Sequence, residues 1–234
     1  MAFKYVKSTF LKTLAFTMLC FLTLNAQAQD EIENVKPKGL FGSVEFKLGN
    51  INVLKKWKDV LDKVQKEQSY FQSCDQSLQS CKNQGLSAWR NFISEAKFKP
   101  KKELLKDVNA FINQWPYIED AKNWKKSDYW ASPIEFLDKS GDCEDYAIIK
   151  YVTLKELGFD PKKMRIVVVM DKLRLLNHAI LVVYENNSQA LVLDSLFDAV
   201  LPQERVLQYT PHYSVNEYAR WAHVMPIQDE GKED

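Results

Sequence analysis

One short stretch, 140–147, constrains the fold of this chain more than any other, and it reads Ser-Gly-Asp-Cys-Glu-Asp-Tyr-Ala. Gly141 permits a tight turn that a side chain would disfavour. Asp142 is a favourable helix N-cap, and Asp145 follows three positions later, as in a capping box. The residues that follow have helical character as far as Gly158, which suits the end of a helix. The stretch therefore predicts a tight turn that leads directly into a helix.

Cys143 falls on the first turn of this predicted helix. Free backbone N–H groups and the positive end of the helix dipole lower the pKa of a thiol at such a position. The position suits a nucleophilic cysteine. A small buried hydrophobic residue is the alternative interpretation.

The first 28 residues have the three parts of an export signal. Lysines precede an apolar run at 14–24, and Ala26-Gln27-Ala28 supplies a cleavage signal. The apolar run is shorter than the ~20 residues of a membrane span. We therefore predict a signal peptide at 1–28, with the mature chain beginning near Gln29. Its removal takes the formal net charge from +1 to −2, so the charge does not indicate a nucleic-acid partner. The lysines removed are Lys4, Lys7 and Lys12.

Beyond that signal the chain contains three cysteines, Cys74, Cys81 and Cys143. An exported protein meets an oxidising compartment, in which disulfides persist. Cys74 and Cys81 lie close together in a polar stretch rich in Ser and Gln, so we predict a local disulfide between them. Cys143 is then the odd thiol, and such a thiol in an exported protein is a candidate reactive group.

The N-terminal half of the mature chain has apolar residues at helical spacing. This spacing predicts one helix at 52–68, a second from Trp89 that stops near Pro100, and a third at 104–115 that ends at Pro116. Their apolar stripes are typical of core packing. We predict one domain at 40–226, preceded by a mobile N-terminus at 29–39 and followed by a polar tail at 227–234. The domain divides into a helical lobe at 40–116 and a catalytic core with a sheet at 117–226.

Within that core, the segment 117–131 is a loop crowded with aromatic residues, which either lines a cleft or covers a core. Ser-Pro-Ile-Glu at 132–135 predicts a short helix. Runs of β-branched residues predict strands at 165–171, 178–184 and 190–194, and their short connections favour antiparallel neighbours. The predicted fold class is α+β, with helices packed on an antiparallel sheet.

A possible catalytic set follows from these strands, since a thiol enzyme needs a nucleophile, a base and a group that orients the base. His178 begins one predicted strand and Asp194 ends the next. Antiparallel pairing would bring these two ends together, where the start of the Cys143 helix can pack. A capped surface histidine and a turn-forming aspartate are the alternatives, and His212 and His223 compete for the role of base.

Three acidic residues, Asp142, Glu144 and Asp145, surround Cys143. Their negative charge opposes formation of a thiolate. Either these carboxylates serve the helix end, or a hard cation such as Ca²⁺ or Mg²⁺ binds them. The spacing is not that of an EF-hand loop.

Several motifs together resemble the LapG-type bacterial transglutaminase-like cysteine proteinases, over about residues 40–226. The motifs are Tyr-Trp-Ala-Ser-Pro-Ile-Glu-Phe-Leu at 129–137, Gly-Asp-Cys-Glu-Asp-Tyr-Ala at 141–147, Leu-Gly at 157–158, His-Ala-Ile-Leu at 178–181 and Leu-Val-Leu-Asp-Ser-Leu at 191–196. The resemblance implies a papain-like, transglutaminase-type fold in the periplasm. It implies a Cys143, His178 and Asp194 triad, and a Ca²⁺ site with ligands on Asp142 and Glu144, with Asp145 as a further candidate.

The resemblance also implies a substrate and a regulator. The family cleaves large repeat-containing surface adhesins near their N-terminus, after a pair of alanines, which releases the adhesin and disperses biofilm. An inner-membrane cyclic di-GMP receptor sequesters the protease. Two other functions fit the same residues: a transglutaminase or amidase that uses the same triad, and a non-catalytic binding module.

Overall fold

The computed structural model describes residues 39–185 and 189–227. The predicted signal peptide at 1–28 lies outside these ranges, as do residues 29–38 of the predicted N-terminal segment and 228–234 of the predicted tail. Among the described residues, no helix is both long and apolar enough to cross a membrane.

Helices dominate the first half of the described chain, as the apolar spacing predicts. The first, α1, begins later than predicted and continues to Gln76, because Phe71 and Cys74 extend its buried stripe into the polar region. The predicted capping box at Ser132 is present at the start of α5. The α-helices are α1 (Lys55–Gln76), α2 (Gln84–Ala96), α3 (Lys101–Ile112), α4 (Asp120–Asn123), α5 (Pro133–Lys139) and α6 (Cys143–Glu156).

The predicted disulfide is confirmed. Cys74 lies in the last turn of α1 and is bonded to Cys81, with 4.4 Å between their Cα atoms. A short 3₁₀ helix, Leu78–Ser80, closes the loop between them. The bond fixes the end of α1 close to the start of α2.

One antiparallel sheet collects seven strands from the described residues, in the order β1-β7-β6-β2-β3-β4-β5. The three predicted strands are confirmed as β2 to β4. Strands β5 to β7 follow in the C-terminal stretch, where the sequence analysis predicted none, and their Tyr209 and Trp221 are buried. The strands are β1 (Val44–Leu48), β2 (Met164–Asp171), β3 (Leu176–Tyr184), β4 (Ala190–Leu193), β5 (Leu201–Pro202), β6 (Tyr209–Val215) and β7 (Arg220–Val224).

The sheet has a hydrophobic core on each face. Along β3, Leu181 and Val183 pack in the core on the helix side, while Ile180 and Val182 pack in the smaller core on the opposite face. This alternation follows from the strand geometry, in which successive side chains point to opposite faces. A strand buried on both faces has a continuous apolar run, as β3 does.

Helix α6 is the central helix of the fold. Residues 145–154 are all buried, including the polar side chains of Lys150 and Thr153. The helix packs on β3 and against α3. Because the helix is enclosed on every side, its first turn is held in a fixed position next to the start of β3.

A buried histidine joins the strands at the β1 edge of the sheet. His223 of β7 is bonded through Nδ1 to Ser43 Oγ and through Nε2 to Ser214 Oγ of β6, both at 2.9 Å. Burial lowers the pKa of His223 from 6.5 to about 4; nearby Glu45 opposes this shift and Arg165 adds to it. The folded protein therefore holds this imidazole neutral at pH values where the unfolded chain protonates it.

We expect this histidine to weaken the fold at acidic pH. Between its ordinary pKa of 6.5 and about 4, the unfolded chain binds a proton that the folded chain excludes, so stability falls as the pH falls. His223→Gln lacks this proton, so its deficit in free energy of unfolding should shrink as the pH is lowered through this window. Across the window, the deficit in the free energy of unfolding should shrink by about 1.4 kcal/mol for each unit that separates the pKa of His223 in the folded chain from that in the unfolded chain.

Urea denaturation followed by tryptophan fluorescence measures this difference. Ser214→Ala is the matched control, since it loses the same hydrogen bond and keeps the ionisable group. Its curve should stay parallel to that of the wild type. Parallel curves for wild type and His223→Gln would contradict a neutral buried His223.

Candidate active site

The turn before α6 is built around the carboxylate of Asp145, which is completely buried. Asp145 Oδ1 accepts a hydrogen bond from the backbone N–H of Ala131 at 2.6 Å, and Oδ2 accepts one from the N–H of Asp142 at 3.3 Å. The second bond belongs to the predicted capping box. The carbonyl of Gly141 accepts a bond from the N–H of Ile118 at 2.9 Å. The turn is thus tied to the aromatic segment 117–131.

This turn presents the thiol of Cys143 at the first position of α6. Cys143 is not part of a disulfide, and its thiol donates a hydrogen bond to Glu144 Oε2 at 3.3 Å. The backbone N–H of Ala179 and the hydroxyl of Tyr117 lie near Cys143. Burial raises the pKa of the Cys143 thiol, the Glu144 and Asp142 carboxylates raise it further, and the Ala179 N–H opposes them. In this electrostatic environment the thiol stays protonated.

His178 and Asp194 lie in contact although 16 positions separate them. Strands β3 and β4 pair antiparallel, with Leu181 opposite Leu193, and this register brings the start of one strand to the end of the other. His178 Nε2 lies 2.8 Å from Asp194 Oδ1, and both side chains are buried. Because Nε2 is engaged with Asp194, Nδ1 is the ring nitrogen that remains for other chemistry. Ala179, the residue after His178, contacts Cys143.

Asp194 has a complete set of donors. The Tyr209 hydroxyl donates to Oδ2 at 2.6 Å, and the N–H of Leu196 donates to Oδ1 at 3.0 Å. Burial raises the pKa of Asp194, but the bonds from His178, Tyr209 and Leu196 outweigh burial and hold it below its ordinary value. The carboxylate is therefore ionised and oriented toward the imidazole.

The two competing histidines have other positions. His223 is bonded to two serines at the opposite end of the strand order. His212 lies on β6 with an exposed side chain. Of these imidazoles, His178 is the one bonded to Asp194.

A cluster of carboxylates surrounds the start of α6. Oxygens of Asp120, Asp142 and Asp145 lie within 4.8 Å of one another, as do those of Asp120, Asp128 and Glu144. Burial raises the pKa of Glu144 to about 9, and the charge of Asp142 adds to this rise. Burial likewise raises the pKa of Asp120 to about 6; the Tyr129 N–H opposes the shift and Asp142 adds to it. With no cation bound, the crowding of these carboxyl groups therefore keeps Glu144 protonated at neutral pH.

Sequence reasoning missed several residues of this region. Asp120 and Asp128 lie in the segment 117–131, which was interpreted from its aromatic residues alone. The acidic residues within it could have indicated that the segment contributes to the acidic cluster. Tyr117 and Tyr209 offered no signal, because each reaches the site only through folding. The aromatic segment was predicted either to line a cleft or to cover a core. Trp130 is buried in the core, whereas Tyr117 is exposed and lies beside Cys143.

The architecture defines a class of protein. A cysteine begins a central helix, and the helix packs on an antiparallel sheet that carries a bonded histidine and aspartate. This is the architecture of papain-like and transglutaminase-like thiol enzymes. The catalytic groups of such enzymes also recur on unrelated folds, so both the groups and the fold define the class.

The sequence comparison identifies the family. Residues 60–229 match the model of the bacterial transglutaminase-like cysteine proteinases. The chain belongs to this family of cysteine proteases. A search among curated proteins finds no match.

Solved structures give the same answer for the fold. Legionella pneumophila LapG is 36% identical, with a TM-score of 0.59 over 65% of this chain and 87% of that one. A calcium-bound LapG structure is 38% identical, with a TM-score of 0.58 over 63% and 85% of the two chains. An EGTA-treated LapG structure is 36% identical, with a TM-score of 0.59 over 65% and 84%. The α+β fold predicted from sequence is therefore confirmed as LapG-like.

Gly141→Ala should destabilise the protein, because the new Cβ would collide with the carboxylate of Asp145. Forcing atoms into a closely packed site costs about 1–3 kcal/mol. Denaturant unfolding measures the loss. Gly49→Ala is the control, since a Cβ there meets nothing within 4 Å. Equal stabilities for the two variants would show that Asp145 does not hold the turn.

Proposed function

We propose that this protein is a periplasmic, calcium-dependent cysteine endopeptidase in which Cys143 is the nucleophile, His178 the base and Asp194 the residue that orients the base. One observation carries the proposal. The start of β3 brings an imidazole bonded to a buried aspartate at 2.8 Å and, one residue later, an N–H that contacts the sulfur of Cys143. This arrangement supports the assignment of the three roles to Cys143, His178 and Asp194.

The reaction follows from these roles. His178 Nδ1 accepts the proton of the Cys143 thiol, and the sulfur attacks the carbonyl carbon of the scissile peptide. The protonated imidazole, held by Asp194, donates that proton to the leaving nitrogen as the C–N bond breaks. Water then attacks the thioester and gives a proton to His178, which returns it to the sulfur as the C–S bond breaks and the new carboxyl end is released.

The tetrahedral intermediates carry a negative oxygen that needs donors. The backbone N–H of Cys143 lies at the start of α6, where N–H groups have no partner within the helix. We assign it as one donor of the oxyanion hole. Such a donor contributes about 10²–10³ in kcat in a well-studied protease.

The acidic cluster fits a calcium ion. Asp120 Oδ1 and Asp142 Oδ1 are buried and have no hydrogen-bond partner among the described residues. Several carboxylates converge within 4.8 Å, and hard oxygen ligands are those that Ca²⁺ prefers. Asp142 and Glu144 would hold the ion, with Asp120 and Asp128 adding oxygens. When bound, Ca²⁺ would offset the negative charge that opposes thiolate formation.

Asp145 fits the capping role better than the ligand role proposed from the family resemblance. Its two oxygens accept backbone hydrogen bonds at 2.6 and 3.3 Å. Its side chain also lies in the most enclosed part of the turn. The similarity to LapG structures in calcium-bound and EGTA-treated forms supports the binding of calcium by this protein.

The substrate and regulator extend the proposal. We propose that the signal peptide at 1–28 directs the protein to the periplasm, where it cleaves a large repeat-containing surface adhesin near its N-terminus, at a di-alanine site. Release of the adhesin would disperse biofilm. An inner-membrane cyclic di-GMP receptor would restrain the protease through its periplasmic domain. The LapG resemblance supports these assignments.

Cys143→Ala should abolish cleavage while leaving the fold intact, because the substitution removes the sulfur and keeps a small side chain. The assay incubates wild type and variant with N-terminal fragments of candidate adhesins, and N-terminal sequencing of the products locates the cut. Circular dichroism checks the fold. Undiminished cleavage by Cys143→Ala would refute the mechanism.

The same assay separates the other candidate functions. Hydrolysis yields two fragments, whereas a transglutaminase joins chains and leaves the substrate uncut. A binding module leaves the substrate unchanged, and its Cys143 reacts with a thiol probe no faster than a free cysteine.

Calcium should raise the melting temperature, and EGTA should reverse the change. At a free concentration 100 times Kd, one bound ion stabilises a protein by about 2.7 kcal/mol. Asp142→Asn and Glu144→Gln should lose this response, because each removes a charged ligand; Asn at the first position also keeps a helix N-cap. Asp138→Asn, on the exposed face of α5, should keep it. If neither calcium nor EGTA changed the melting temperature, these acidic residues would cap the helix and would not be calcium ligands.

A further inference from the structure

Tyr209 contacts both His178 and Asp194 from a third strand. It is the first residue of β6, and its side chain is buried. The hydroxyl donates to Asp194 Oδ2 at 2.6 Å. The centre of the phenol ring lies 5.7 Å from the centre of the His178 imidazole. One tyrosine therefore touches the residue assigned as the base and the residue assigned to orient it.

The two carboxylate oxygens of Asp194 have different partners. Oδ1 lies 2.8 Å from His178 Nε2 and accepts the N–H of Leu196 at 3.0 Å. Among the described residues, Oδ2 is bonded to Tyr209. Rotation of the carboxylate would carry Oδ1 away from the imidazole, and it would also break the bond to Tyr209. The hydroxyl therefore opposes that rotation from a separate strand.

The main chain around Asp194 is held by other residues. Asn113, the residue after α3, donates through Nδ2 to the carbonyl of Asp194 at 3.0 Å. Asn109, one helical turn earlier, donates to the carbonyl of Phe197 at 2.9 Å. These bonds fix the backbone after β4 but do not reach the Asp194 carboxylate. The orientation of the carboxylate is left to the groups bonded to Oδ1 and Oδ2.

The phenol of Tyr209 is a constant donor in a fixed position. Burial raises the pKa of Tyr209, and the charge of Asp194 raises it further, so the hydroxyl keeps its proton. Pairing of β2 with β6 places Tyr209 opposite Asp171. Phe41 packs edge-on against the phenol ring, with 6.1 Å between the ring centres. These contacts hold the hydroxyl in line with Oδ2.

We infer that Tyr209 is a positioning residue that holds the Asp194 carboxylate so that Oδ1 faces Nε2 of His178. The inference rests on the proposed function. A neutral imidazole carries its proton on one of its two nitrogens. Nδ1 can accept the thiol proton only when that proton is on Nε2, and an acceptor fixed beside Nε2 selects this form. Tyr209 thus acts on the proton transfer through Asp194.

Tyr209→Phe should lower kcat about tenfold, because it removes one hydrogen bond to a charged group and keeps the ring. KM should stay unchanged, since the buried hydroxyl is not part of the substrate surface. Cleavage of the adhesin fragment measures both constants. Tyr184→Phe is the matched control and should keep the wild-type kcat. Tyr184 packs on the same small core as Tyr209 but lies at the other end of β3 from His178.

Asp194→Ala tests whether Tyr209 acts through Asp194. Once the carboxylate is gone, adding Tyr209→Phe should cause no further loss of residual cleavage. Losses that multiply in the double variant would contradict the inference, because Tyr209 would then act independently of Asp194. If Asp194→Ala does not fold, Asp194→Asn replaces it, and the effect of Tyr209→Phe should shrink in that background.

Nitrogen NMR of protein labelled at the histidine rings tests the same inference without substrate. The chain contains three histidines, and His178→Gln identifies the signals of His178. At about pH 8, where an imidazole is neutral, the wild type should carry the His178 proton on Nε2, and Tyr209→Phe should show a mixture of both forms. A spectrum of Tyr209→Phe equal to that of the wild type would overturn the inference.

These measurements separate two kinds of failure. The NMR result does not depend on cleavage, so it tests Tyr209 even if the protein is not a protease. Conversely, an unaltered Tyr209→Phe variant would leave wild-type cleavage and its loss in Cys143→Ala untouched.

Discussion

The burial of α6 is the constraint on which the rest of the structure depends. Residues 145–154 of this helix have no exposed face, so the helix cannot shift without disturbing the sheet and α3 together. The buried carboxylate of Asp145 then fixes the turn before it through the N–H groups of Ala131 and Asp142. Cys143 is therefore held on a rigid element, as a precisely positioned functional group requires.

Burial and neighbouring carboxylates oppose formation of a thiolate at Cys143. On the solvent side, Asp142 and Glu144 raise the pKa of the thiol after burial has done so, and the proposed calcium ion would offset them. Asp194 carries a buried negative charge that the hydrogen bonds from His178, Tyr209 and Leu196 stabilise.

Much of the fold could be predicted from near neighbours in the chain. The helix starts at Ser132 and Cys143, the strands β2 to β4 and the disulfide between Cys74 and Cys81 all follow from spacing and local composition. The end of α1 and the strands β5 to β7 were missed or misplaced. Polar residues interrupt their patterns, and burial of Phe71 and Tyr209 against distant elements decides those segments.

The sequence by itself determined the capped turn that presents Cys143, the helical and β-branched runs around it, and the short turn that lets His178 and Asp194 approach each other. These depend on hydrogen bonds and periodicities that span a few residues. Only the tertiary structure decided that Tyr209 bonds to Asp194, that Asp120 and Asp128 approach Glu144, and that Lys150 is buried. Such contacts join segments far apart in the chain, and their position depends on how the helices and the sheet pack.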